Sequence, residues 1–374
     1  SVQAEILKVV KELVAEMGTS LIWVSHDLAT VSSIADTIAV MRHGKIVEAG
    51  RAREVLHNPQ HPYTKGLLDA LPSRSQPGQL LASSATEAAG RMDFTGLGGS
   101  AIGADPDAEF VKAVGVEKIF APKAGFLRRL GIRAGLAKEP KPVHAVKSAN
   151  VTIARGEILG LVGESGSGKS TLGRILCGIY PADAGTVTVG GQPVRSEKGK
   201  LGTRVQMIFQ DPFASLDPRR TIFQSVAEGP IAHGFCTRQN AREYVNRWLR
   251  AVAFDPAMAD PYPHQFSGGQ RQRVAIARAL AMQPEVIVCD EPVASLDVSI
   301  QAQVINLLME LRRNLNITML FISHDLSVVN HLCDRVIVMR HGEIVEQGPA
   351  QQVFTAPQHP YTKMLIDAIP KLAA

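Results

Sequence analysis

GESGSGKST, Gly163 to Thr171, lies between an apolar strand candidate, Glu157 to Val162, and a helix candidate that starts near Ser170. Its spacing is G-x-x-x-x-G-K-[ST], in which successive backbone N–H groups wrap a polyphosphate. Gly163, Gly166 and Gly168 let the backbone take positive φ and approach the phosphates closely, with Glu164, Ser165 and Ser167 between them. Lys169 supplies a point charge to the β and γ phosphates, and the Ser170 hydroxyl, followed by Thr171, a ligand for Mg²⁺. The helix that follows points its N-terminal N–H groups at the same anion. Kinases, GTPases and motor ATPases share this loop, so alone it indicates a nucleotide and leaves the task open. A plain Gly-rich turn with a surface lysine is the bland alternative, and the flanking strand and helix argue against it.

The 374 residues are 45% hydrophobic and carry a net charge of +5, which fits a chain of about two domains and falls short of a dedicated nucleic-acid binder. No apolar run reaches the roughly 18 residues of a membrane span, and the N-terminus shows no signal pattern. Cys177, Cys236, Cys289 and Cys333 form no CxxC pair and read as buried, reduced thiols of a cytosolic protein.

Ser1 to Pro72 aligns without a gap on Ser299 to Pro370, with nearly half the positions identical. SHDL at Ser25 falls on Ser323, VMRHG at Val40 on Val338, and PQHPYTK at Pro59 on Pro357. Each copy predicts an amphipathic helix, a buried strand (Leu21 to Val24; Met319 to Ile322), a short helix, a strand pair turning at His43-Gly44 or His341-Gly342, and a helical tail. The first copy starts at the counterpart of Ser299 and holds nothing equivalent to Val111 to Val298. Residues 1–72 are therefore expected to be the remnant of a first domain, weakly stable alone, with an unpaired strand edge at Leu21 to Val24. Residues 73–110, rich in Ser, Ala and Gly, predict a flexible linker, and 111–374 a complete domain. That domain opens with a strand at Val111 to Phe120. A basic segment follows, Phe126 to Lys141, either a solvated loop or a contact for anionic lipid headgroups.

Four elements follow the phosphate loop. MIFQDP places Gln210 after an apolar strand. FSGGQRQR puts Ser267, Gly268, Gly269 and Gln270 at a helix N-terminus, a second anion site. VIVCDEP ends a buried strand in two carboxylates, Asp290 suited to Mg²⁺ and Glu291 to polarising an attacking water. FISHD ends another buried strand in His324, placed to contact a γ-phosphate. Each has a plainer reading in isolation: a solvent-facing glutamine, a serine cap, an ion pair, a core histidine.

Taken together, GESGSGKST, Gln210, FSGGQ, VIVCDEP, SLD at Ser295 to Asp297 and His324 resemble the nucleotide-binding subunit of an ABC transporter. The resemblance covers Val111 to the C-terminus and, as the last part of a second copy, residues 1–72. QDPFASLDPR, YPHQFSGGQRQR, EPVASLDVSIQAQ and the two HPYTK tails are similar to the ATPase subunits of bacterial dipeptide and oligopeptide importers, and the doubling resembles the tandem ATPase of glutathione-type importers. No cysteine cluster follows the tails, so an iron–sulfur site is not implied.

The resemblance implies an α/β P-loop NTPase fold with a mostly parallel core sheet, an antiparallel β subdomain and a helical signature subdomain. It implies ATP and Mg²⁺ as cofactors, Phe120 stacked on adenine, residues 163–171 on the phosphates, and Ser170, Gln210 and Asp290 arranging the metal. Glu291 would be the base and His324 the γ-phosphate contact. Ser267 to Gln270 would act in trans on ATP held by a second nucleotide-binding domain. The implied partners are integral-membrane permease subunits and, indirectly, a periplasmic solute-binding protein, at the cytoplasmic face of a bacterial inner membrane, with no nucleic acid. Two alternatives stay open, a soluble ABC ATPase acting on ribosomes or DNA and an ATP-binding fragment without turnover. The first usually carries a long charged arm, which is not seen between Ser170 and Ser267.

Overall fold

The structure, a computed structural model, describes residues 2–25, 27–82, 92–97, 109–121, 142–195 and 202–369. The first copy closes on a hairpin, β1 (Thr37–Arg42) with β2 (Lys45–Arg51). The complete domain supplies β3 (Glu109–Phe120), β4 (Val143–Ala154), β5 (Ile158–Val162), β6 (Ala184–Val189), β7 (Gln192–Pro193), β8 (Val205–Ile208), β9 (Val286–Asp290), β10 (Thr318–Ile322), β11 (Arg335–Arg340) and β12 (Glu343–Pro349).

Six strands form a sheet in the order β12-β11-β5-β10-β9-β8, parallel except for β12. Every residue of β5, β9 and β10 is buried. That matches their near-continuous apolar runs, since a parallel sheet covered on both faces has no polar side. Ile322 pairs with Leu161 on one side and Asp290 on the other, so the C-terminal ends of β5, β9 and β10 lie level. The loop after β5, the carboxylates after β9 and the histidine after β10 therefore meet at one edge, where ligands of open α/β sheets bind. An antiparallel sheet, β4-β3-β6-β7, packs its own apolar face beside this core.

Two helices carry the expected start signals. Ser267 and Gln270 make a reciprocal capping box at helix Gly268–Leu280. Asp297 caps Val298–Leu315 by accepting from the Ile300 N–H. All four cysteines are buried and unbridged, and burial pushes the Cys289 thiol up to about 12.

The two copies differ in burial and in one strand. Helix Val2–Met17 leaves Ile6, Val9 and Leu13 about half exposed, whereas their counterparts Val304, Leu307 and Leu311 are fully buried. The strand expected at Leu21 to Val24 does not form: Ile22 and Val24 are 89% and 92% exposed, and among the described residues no ladder bonds hold them. The counterpart β10 is bonded on both sides, by β5 and β9, and without such neighbours an extended run has no ladder to join.

Within the expected flexible linker, residues 78–81 bond to the domain that follows. Gly78 N–H donates to the His331 carbonyl (2.9 Å), His331 Nε2 donates to the Gln79 carbonyl (2.9 Å), and Arg313 donates to the Gly78 carbonyl (3.0 Å). The Asn306 amide bonds both the N–H and the carbonyl of Leu81, each at 2.8 Å, and Leu81 is buried in the main core. Met92, Phe94 and Leu97 pack against the same core. Specific amide pairing and a buried leucine thus order a stretch whose composition suggested solvent. The basic segment 126–141 and His26 lie outside the described residues.

Candidate nucleotide site

The loop after β5 takes the conformation its glycines permit. Gly163, Gly166 and Gly168 have φ of +145°, +80° and +106°. A Cβ on Gly163 would sit 2.1 Å from the Met339 carbonyl oxygen, and one on Gly168 would be 2.1 Å from that of Ala145, so both positions exclude a side chain on packing as well as on φ. Lys169 and Ser170 open helix Lys169–Leu176. Lys169 Nζ donates to the carbonyls of Gly163 (2.8 Å) and Glu164 (2.9 Å), which folds the lysine back across its own loop. Burial lowers its pKa, opposed by the charges of Glu291, Asp290 and Glu164.

Ser170 Oγ donates to Asp290 Oδ1 at 2.8 Å, joining the loop to the end of β9. Asp290 is only 2% exposed, and desolvation raises its pKa despite the Ser170 hydrogen bond and the Arg174 guanidinium 4.0 Å away. A buried carboxylate of this kind is completed by a cation. The donors present, one hydroxyl, one carboxylate and the Gln210 amide, are hard oxygens that fit Mg²⁺. Among the described residues there is no cluster of three His, Cys, Asp or Glu that could cage a metal.

Glu291 sits at φ +50°, a strained value for a long side chain, with its N–H tied to the Ile322 carbonyl (2.9 Å). Gln210 Nε2 donates to Glu291 Oε2 at 2.9 Å, and His324 Nδ1 lies 3.2 Å from the same oxygen. The His324 hydrogen bond holds the Glu291 carboxyl below its usual range, and Glu291 in turn raises His324.

These groups line one cavity of about 800 Å³, walled by Ser165, Gly166, Gly168, Lys169, Ser170, Thr171, Gln210, Glu291 and His324. Phe120 is not in that wall; it packs edge-to-face on Tyr180, ring centroids 5.8 Å apart. Ser267 to Gln270 are likewise absent from the wall, at the head of their own helix. Sequence reasoning missed several contributors. Val143, His144, Ala145, Lys147 and His341 line the cavity, and Tyr361 bonds the phosphate loop. His341 and Tyr361 stood in the repeated VMRHG and HPYTK stretches, and nothing in that repetition marked them as facing a ligand.

A phosphate-cradling loop, a buried serine–aspartate pair and a histidine-backed glutamate at the ends of parallel strands define a P-loop nucleotide-binding domain. Comparison with known proteins narrows the class. The ABC transporter family model matches residues 146–294, and the model of the oligopeptide/dipeptide transporter C-terminal region matches 47–98 and 345–374. The chain is 42% identical over 379 residues to the glutathione import ATP-binding protein GsiA of Pectobacterium atrosepticum, and 44% identical over 375 residues to GsiA of Escherichia coli K12. Each alignment takes in 99% of this chain, which spans 59% of the length of these relatives. Among solved structures, cbiO1 from Clostridium perfringens, part of the ABC transporter complex cbiONQ, matches with a TM-score of 0.55 at 30% identity, over 66% of this chain and 91% of that one. The ATP-binding cassette MJ0796, solved as a dimer with ADP and Pi, gives 0.54 at 27%, over 64% and 98%. The chain belongs to the ABC transporter ATP-binding family and carries the oligopeptide/dipeptide transporter C-terminal region.

Proposed function

We propose that this chain is an ATP-binding and ATP-hydrolysing subunit that powers a bacterial importer for peptides or related small solutes. The observation that carries the reading is the Glu291 carboxylate, paired with Gln210 and His324 in the wall of the cavity that Lys169 and Ser170 also line. The N–H groups of the glycine loop and Lys169 bind the polyphosphate. Ser170 and Asp290 hold Mg²⁺, with Gln210 nearby, and the ion when bound neutralises phosphate charge. Glu291 accepts the proton of the attacking water, and His324, paired with that carboxylate, reaches the γ-phosphate. Phe120, 40% exposed beside Tyr180, offers its ring to adenine.

Ser267 to Gln270 present a capped helix N-terminus to a nucleotide held by another cassette, so the working unit needs a second complete nucleotide-binding domain, in a longer protein or on a partner chain. Among the described residues no helix is long and apolar enough to cross a membrane, and permease subunits at the cytoplasmic face of the inner membrane are the natural partners, fed by a periplasmic solute-binding protein. The test is ATPase activity across a protein-concentration series. Activity per molecule is expected to rise with concentration and to fall about 10²- to 10⁴-fold in Glu291→Gln. Turnover by Glu291→Gln equal to that of the unaltered chain would overturn the assignment.

A further inference from the structure

We propose that Tyr361, in the HPYTK tail of the complete copy, is a positioning residue for the phosphate loop and thereby sets its nucleotide affinity. The inference rests on the nucleotide-binding function proposed above. The Glu164 N–H donates to the Tyr361 phenol oxygen at 3.0 Å, while the Glu164 carbonyl accepts from Lys169 Nζ at 2.9 Å. Glu164, at the start of the loop, is thus held through both its N–H and its carbonyl, by the tail and by the phosphate-binding lysine. The other limb of the loop is tied to the same C-terminal unit, where Gly342 N–H donates to the Ser167 carbonyl at 2.9 Å.

The tail presents Tyr361 through a chain of local bonds. Glu346 accepts from the N–H groups of Gln358 (2.8 Å) and His359 (2.9 Å). His359 Nδ1 then caps helix Pro360–Asp367 by accepting from Tyr361 N–H at 3.1 Å. Arg340 covers the ring at 4.8 Å, Tyr361 is 3% exposed, and burial raises the phenol pKa, so the group stays a neutral hydroxyl.

The first copy is an internal control for this arrangement. Glu48 accepts from Gln60 (2.7 Å) and His61 (3.2 Å), His61 Nδ1 accepts from Tyr63 N–H at 3.1 Å, and Arg42 covers Tyr63 at 4.8 Å. These contacts lie within residues 42–63. The glutamate–histidine–tyrosine–arginine unit therefore forms on its own, and in the complete copy it meets the loop already set. A rigid acceptor aimed at one loop amide restricts the loop before ligand arrives, which lowers the ordering cost of binding.

Tyr361→Phe removes the acceptor and keeps the ring. In the nucleotide-free chain, the Glu164 amide is expected to exchange with solvent about tenfold faster in this variant. Titration with fluorescently labelled ATP should show affinity weakened by roughly 3- to 10-fold, with KM for ATP rising in step and kcat at saturation unchanged. Tyr63→Phe should move none of these. Unchanged Glu164 exchange in Tyr361→Phe would overturn the brace. Faster exchange with unchanged affinity, or an equal loss of affinity in Tyr63→Phe, would overturn its link to nucleotide binding. Absence of labelled-ATP binding by the unaltered chain would overturn the function proposed above, and the exchange measurement, made without nucleotide, would still decide the brace.

Discussion

Residues 37–69 and 335–367 fold alike down to irregularities of register, with bulges at Val40/Met41 and Val338/Met339 and left-handed turns at His43-Gly44 and His341-Gly342. Residues 6–17 and 304–315 are helical in both copies, but only the second helix is buried, and residues 21–24 lack the strand that 319–322 form. The hairpin and tail close on themselves: in the first copy Ile38, Val40, Ala52, Val55, Leu56 and Leu68 make a small core of their own. The amphipathic helix and the parallel strand depend on partners far away in sequence, and β10 draws both of its ladders from β5 and β9. One repeat unit thus contains a part specified by local contacts and a part specified only by the domain around it.

The sharpest way to break that comparison is a matched pair of deletions. Leu311→Ala should destabilise the complete domain by about 2–5 kcal/mol, because it empties a fully buried site. Leu13→Ala, at the aligned exposed position, should stay within about 0.5 kcal/mol. Denaturant melts of the two variants check this, and equal losses would mean that the first helix is buried after all.

A smaller effect is expected where residues 78–81 dock. Asn306, Arg313 and His331 hold this strap, and the first copy has Lys8, Ala15 and Ser33 at the aligned positions, so only the complete copy can receive it. Asn306→Ala should cost about 1–3 kcal/mol through the unpaired Leu81 backbone, and hydrogen exchange at the Leu81 amide should quicken. Lys8→Ala should leave that amide unchanged.

The smallest effect concerns ionisation. His324 is raised above its ordinary 6.5 by Glu291, so its contribution to stability is full below 6.5 and is lost as pH rises through the higher folded value. Glu291 is lowered from 4.5, so its contribution is full above 4.5 and is lost as pH falls through the lower folded value. The pair therefore contributes most between about pH 4.5 and 6.5, a modest amount, since the His324 side chain is 60% exposed and its charge is screened. NMR titration of His324 should show its raised pKa falling in Glu291→Gln; an unmoved value would break the coupling.

Much of this was legible in the sequence because the chemistry is encoded locally. Gly163 to Thr171 fixes a loop conformation through its glycines, and VIVCDEP and FISHD announce buried strands that end in polar groups. Level alignment of their ends follows from one parallel sheet. The Leu21 to Val24 strand was misread because its apolar run is the same whether or not neighbours exist. The docking of Leu81 and the reach of Tyr361 to Glu164 were not legible at all, since each depends on the meeting of segments about 200 residues apart.

The account's central claim is that the nucleotide site is built from residues 143–341, around Lys169. Equilibrium titration of the purified chain with labelled ATP, counted per chain, tests it most directly. The account predicts one site per chain, lost in Lys169→Ala and retained in a variant altered only within residues 2–72. Two sites per chain, or one that survives Lys169→Ala, would contradict it.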